Sequence, residues 1–96
     1  MTTDIYKTKL GTKFRFGFEQ REKNGEKNFV IFILDQPDYG GRPDDPHTTH
    51  RVREGEKYLI NYSGPVPTLD DAKLVAACFS DQSELYITTG QPFPEG

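Results

Sequence analysis

Ninety-six residues with 12 basic and 15 acidic side chains, net −3, make one small domain without the basic excess that phosphate binding normally needs. One cysteine, Cys78, excludes an intrachain disulfide, so packing must hold the fold, as suits the reducing cytoplasm. The longest apolar run, residues 29–34, is far short of the ~20 residues needed to cross a membrane, and the first residues show no secretory signal.

Residues 5–10 can supply an edge strand. Residues 13–20 alternate strictly, with Phe14, Phe16 and Phe18 on one side and Arg15, Gly17 and Glu19 on the other, the period of a half-buried strand. Residues 28–34 are apolar throughout and read as a second strand with both faces covered. Asn24-Gly25 between them is a strong hairpin signal, because both turn positions take positive φ. A two-residue turn there sets 23 against 26, 18 against 31 and 16 against 33. Phe14, Phe16 and Phe18 then share one face with Phe29, Ile31 and Ile33. Gly17 falls across from Phe32, whose ring is expected to fold over the missing side chain.

Residues 35–51 follow, with both histidines and no aliphatic residue. Structureless loops beyond about 12–15 residues are uncommon in compact domains and are usually functional or disordered. A second, more polar hairpin is expected from 47–53 and 57–62, turning at Glu54-Gly55. Residues 63–67 break the chain with two prolines. Thr68 is a sound helix N-cap, Asp70 and Asp71 suit the first turn, and Gly90 suits the C-cap, which places one helix over residues 69–88. The tail, 90–96, reads as frayed. The fold expected is α+β: an antiparallel sheet of four to five strands, built as hairpin, long loop and hairpin, with one C-terminal helix on a face.

On that helix Ala72, Val75, Ala76, Phe79 and Tyr86 form a stripe for the sheet. Ser80 falls in the polar arc. Leu74, Cys78 and Leu85 form a second apolar stripe roughly 100° away. Loops and tail, through Val66 and Phe93, can wrap this second stripe. A homodimer or a different partner can cover it instead. Val30, Phe32 and Leu34, on the sheet face with no helix, pose the same question.

The candidate binding residues are Tyr39, Arg42, Asp44, His47, His50, Arg51 and Arg53. An aromatic, a Gly-Gly joint and guanidinium groups together can hold a carboxylate or phosphate bidentately. Internal pairing of Arg42 and Arg51 with Asp38, Asp44 and Asp45 is the competing reading. His47 and His50 have ligand chemistry for zinc, yet their i, i+3 spacing in a strand puts the rings on opposite faces. Asp38, Asp44 and Asp45 beside them read as a solvated turn before they read as an acid–base set. Cys78 reads as a buried small hydrophobe. Arg15 to Phe18 echo an RNA-stacking strand, but too few residues precede them for that domain. A non-catalytic module binding another protein through the loop of residues 35–51 and the exposed apolar surface, with Leu74, Cys78, Leu85, Val30 and Phe32 as the interface for a homodimer or a different partner, therefore ranks first. Nucleic-acid binding through the loop arginines and tyrosine ranks second, and a metal protein or enzyme third. No cofactor is implied.

Overall fold

The computed structural model describes residues 1–94. β1 (Thr2–Lys7), β2 (Lys13–Lys23), β3 (Glu26–Asp35), β4 (Arg51–Glu54) and β5 (Lys57–Ile60) form one antiparallel sheet in the order β1-β2-β3-β5-β4. The helix α1 (Leu69–Thr89) packs on one face against β1, β2 and β3. This is the α+β architecture expected, with five strands.

The first hairpin follows its turn chemistry. Asn24 and Gly25 take φ of 53° and 79°, and the register pairs Lys23 with Glu26, Phe18 with Ile31 and Phe16 with Ile33. A register shift between Arg15 and Phe16 marks a bulge. The edge strand lies earlier than expected, because Thr8 turns the chain: Thr8 N–H donates to Thr12 O and Gly11 N–H to Thr8 O, both at 2.9 Å.

The second hairpin is shorter than its pattern implied. Residues 46–50 form a turn instead of a strand, with Thr48 N–H and Oγ1–H both donating to Asp45 Oδ2 at 3.1 and 2.9 Å. An aspartate that satisfies the amide three residues on favours a turn over a ladder. At the other end β5 stops at Ile60, because it pairs with β3 only at Phe32 and Ile33.

The core lies between α1 and the phenylalanine face. Phe14 and Phe16 are buried and meet Phe79 edge-on at 6.5 and 6.2 Å. Ala72, Ala76, Ser80 and Ser83 are all buried, and these small residues bring the helix close to the sheet. Ser80 thus leaves the polar arc assigned to it. Its hydroxyl is satisfied within the helix, donating to Ala76 O at 2.8 Å. Thr68 Oγ1 accepts from Asp71 N–H at 3.1 Å, and Gly90, at φ 80°, donates to Tyr86 O at 2.8 Å. Both caps form as their residues predict.

Among the described residues no helix covers the opposite face, yet Phe32 is only 4% exposed. Arg21 and Lys57 extend over its ring, at 5.7 and 5.5 Å from the centroid. Long basic side chains cover apolar surface while keeping their charge in water. Phe32 is therefore not a free interface residue, and Val30 and Leu34 beside it are half-buried. Gly17 does face Phe32 in the ladder, but Met1 Sδ and Leu34 Cδ1 fill the space above it instead of the ring. Arg21 is fixed by Glu54, which it grips with both terminal nitrogens at 2.8 and 2.7 Å, and by Glu19 at 2.6 Å. The Arg21 hydrogen bonds hold the Glu54 carboxyl below its ordinary pKa.

Candidate functional site

The long loop folds across the C-terminal end of α1 and is built into the domain there. Tyr39 is 6% exposed and meets Tyr86 edge-on at 6.1 Å. Tyr86 OH donates to Pro43 O at 2.7 Å. Arg42 Nε donates to Ile87 O at 3.0 Å, and its guanidinium lies against Gly90. The last turn of α1 has no basic residue of its own, so Arg42 supplies the cation that a helix C-terminus favours. His50, at φ 53°, stacks on Phe93 at 4.7 Å, and Phe93 packs at 6.0 Å from both Phe79 and Tyr86. Residues 90–94 of the tail are thereby tied to the core through Phe93 instead of frayed.

Arg51 joins this packing from β4. It is 9% exposed, with its guanidinium carbon 4.1 Å from the Tyr58 ring centroid and 5.0 Å from that of Tyr39. Its Nε donates to Thr49 Oγ1 at 2.8 Å and its Nη2 to Asp44 O at 2.7 Å. The expected pairing of Arg42 and Arg51 with aspartate carboxylates is not what forms. Both arginines reach backbone carbonyls or a hydroxyl, while the Asp45 carboxylate caps its own turn. That bonding from Thr48 lowers the Asp45 pKa.

Of the predicted binding residues, Tyr39 and Arg51 therefore lie inside. Arg42 and His50 are half-buried, and Asp44, His47 and Arg53 are exposed. Arg53 stands 5.9 Å from the Tyr58 centroid and donates to Gly55 O at 2.8 Å. Among the described residues no three His, Cys, Asp or Glu side chains are grouped to hold a metal ion. No helix among them is long and apolar enough to cross a membrane.

Two other surfaces stand out. Where β5 leaves β3 a cleft of about 410 Å³ opens, walled by Val30, Val52, Leu59 and Tyr62 and rimmed by Lys23, Arg53 and Asn61. Phe29 N–H donates to Val66 O at 2.8 Å, and Val66 N–H to Asn28 Oδ1 at 3.0 Å, as the chain returns along β3. Val52 and Tyr62 are 46% and 52% exposed. The sequence pattern missed this cleft, because it continued the strand through Tyr62. The polar Asn61 just ahead of Ser63-Gly64-Pro65 was the available signal of divergence.

The second surface is the outer side of α1. Leu74 is 65% exposed, Cys78 is exposed and Leu85 is half-buried. Val66 and Phe93, which were expected to wrap this stripe, are in the main core. Cys78 is correspondingly not the buried small residue its neighbours suggested. The helix is held to β1 beneath by Tyr6 OH to Asp81 at 3.1 and 3.2 Å, by Thr8 Oγ1 to Glu84, and by Lys73 to Asp4 at 3.9 Å. Partial burial and the Asp81 contact raise the Tyr6 pKa.

No known protein family, curated protein or solved structure matches this chain.

Proposed function

We propose that this chain is a non-catalytic interaction module that binds another protein through the outer face of α1, in the cytoplasm. The observation that carries this reading is the Leu74–Cys78–Leu85 stripe, with Leu74 and Cys78 solvent-facing and Leu85 half-buried, on the one helix of the described residues. The segments able to cover it, at Val66 and Phe93, are committed to the core. A leucine 65% exposed beside a free thiol is surface that a partner can bury with gain. The loop supports this surface at a distance by fixing the end of the helix. An exposed cysteine without a disulfide partner suits a reducing compartment.

A photo-crosslinker attached at Cys78 tests the reading in extract of the native host. A discrete protein adduct is expected with the wild-type chain and its loss with Leu74→Asn. No adduct, or one indifferent to Leu74, would sink it.

The cleft favours a second reading, single-stranded nucleic acid. Lys23, Arg53 and the half-exposed Tyr62 all line it, which pairs cations with a stacking ring, while Glu22 and Glu54 in the same lining offset part of that charge. Arg42, Arg51 and Tyr39, the first choices for such contacts, are engaged internally. This reading requires retardation of a single-stranded oligonucleotide at low salt, weakened by Lys23→Gln with Arg53→Gln.

A further inference from the structure

Resting on the protein-binding reading of α1, we propose that its partner is a basic amphipathic helix. Leu74, Cys78, Asp81 and Leu85 recur at spacings of four, three and four, the rhythm of a seam that faces another helix. The seam runs about 16 Å along the axis at 1.5 Å per residue. Leu74, Cys78 and Asp81 are all exposed. Its one charged member, Asp81, is held from the β1 side by Tyr6 OH.

Charge sets the chemistry of the occupant. On α1, Asp70, Asp71, Asp81 and Glu84 stand against Lys73, which leaves the helix at −3. That equals the formal charge of the whole chain, so the remaining residues sum to zero. Lys73 is itself 3.9 Å from Asp4, and the last turn carries no basic residue. The outer face of α1 is thus an apolar seam with acidic flanks.

A second copy fits this face poorly. Antiparallel pairing that opposes Leu74 to Leu85 of the other copy puts Asp81 against Cys78 and one −3 helix against another. Parallel pairing opposes Asp81 to Asp81. Either way a carboxylate enters the seam without a cation. A partner helix with leucine-like residues at the same spacing, and Lys or Arg opposite the exposed Asp81, Asp70 and Asp71, satisfies both features. Apolar burial supplies affinity, and the charges supply register and discrimination. An anionic lipid surface is repelled by the same charge.

The test is a titration of isotope-labelled protein with three synthetic amphipathic helices sharing one leucine pattern, whose polar positions are lysine, glutamine or glutamate. A scrambled Leu/Lys peptide serves as control. The Leu/Lys helix is expected to bind tightest and to shift resonances from Leu74 to Leu85. Leu74→Asn and Asp81→Asn, each confirmed folded by its spectrum, are expected to weaken it by about tenfold, and added salt to weaken it further. A preference for the Leu/Gln or Leu/Glu helix on α1 would overturn the basic partner while leaving the protein-binding reading standing. No shift on α1 with any helix would overturn both. Equal binding of the scrambled peptide, indifference to both substitutions, or a dimer in sedimentation with α1 at its interface would each overturn the inference.

Discussion

The loop of residues 36–50 and the outer face of α1 exchange the roles their sequences suggest. The loop is polar, rich in Pro, Gly, Asp and His, and looks like exposed recognition surface. Its Tyr39 and Thr49, with the adjoining Arg51, are buried. The α1 stripe is apolar and looks like core, yet Leu74 and Cys78 face solvent. What separates them is the availability of partners. The helix end offers the Ile87 carbonyl, the Tyr86 ring and the Phe93 ring, so Arg42, Tyr39 and His50 find packing or bonding partners there, although the buried Tyr39 hydroxyl itself has no hydrogen-bond partner. The outer helix face offers nothing within the described residues to bury Leu74.

Mutations that strike the loop, or the tail residue packed on it, should therefore cost stability, and those on the outer face of α1 should not. Phe93→Ala is expected to cost most, about 3–5 kcal/mol, because it empties the space between His50, Phe79 and Tyr86. Denaturant unfolding measures this, and a cost below about 1 kcal/mol would remove the tail from the core.

Arg51→Ala comes next, at about 2–3 kcal/mol, for a stacked guanidinium with hydrogen bonds to Thr49 and Asp44. Arg51→Lys should recover less than half of it, since an ammonium cannot span both acceptors while lying flat between Tyr39 and Tyr58. Equal stability of the two variants would show that charge alone matters there. Arg42→Ala is expected to cost about 1 kcal/mol, with the loss concentrated in hydrogen-exchange protection of the last turn of α1.

Much of the sheet was legible because its signals are local. Asn24-Gly25 and the Phe14, Phe16, Phe18 alternation each demand the same register, and Thr68 and Gly90 each demand a helix end. The loop was illegible because its partners are remote. Nothing near Arg42 in sequence indicates the Ile87 carbonyl, and nothing near His50 indicates Phe93. The aspartates beside the arginines suggested ion pairs, but Asp45 is satisfied more cheaply by Thr48, three residues away. For the helix, periodicity found the second stripe but could not decide what covers it. That depended on where Val66 and Phe93 go, which only tertiary packing determines.

Acid should loosen the loop locally, at the Asp45 turn. Thr48 donates to the Asp45 carboxylate, so the folded pKa lies below the unfolded one. The stabilisation is complete above the unfolded pKa and is lost as pH falls through the folded pKa. The Thr48 amide protection factor should therefore drop on the acid side in the wild type and be low at every pH in Asp45→Ala. Glu54 shifts in the same direction through Arg21, so a local amide is a cleaner reporter than the melting temperature.

The smallest expected stability effect belongs to Leu74→Asn, less than about 0.5 kcal/mol in either direction. The side chain is 65% exposed, so little apolar area returns to water when it is shortened. Asparagine lowers helix propensity only slightly at this mid-helix site. Thermal unfolding should then superimpose on the wild type, while peptide binding at α1 weakens by about tenfold. A residue with no stability role and a large binding role can owe its exposure only to a partner. A clear loss of stability would instead show that Leu74 is packed in solution and that the outer face of α1 belongs to the core.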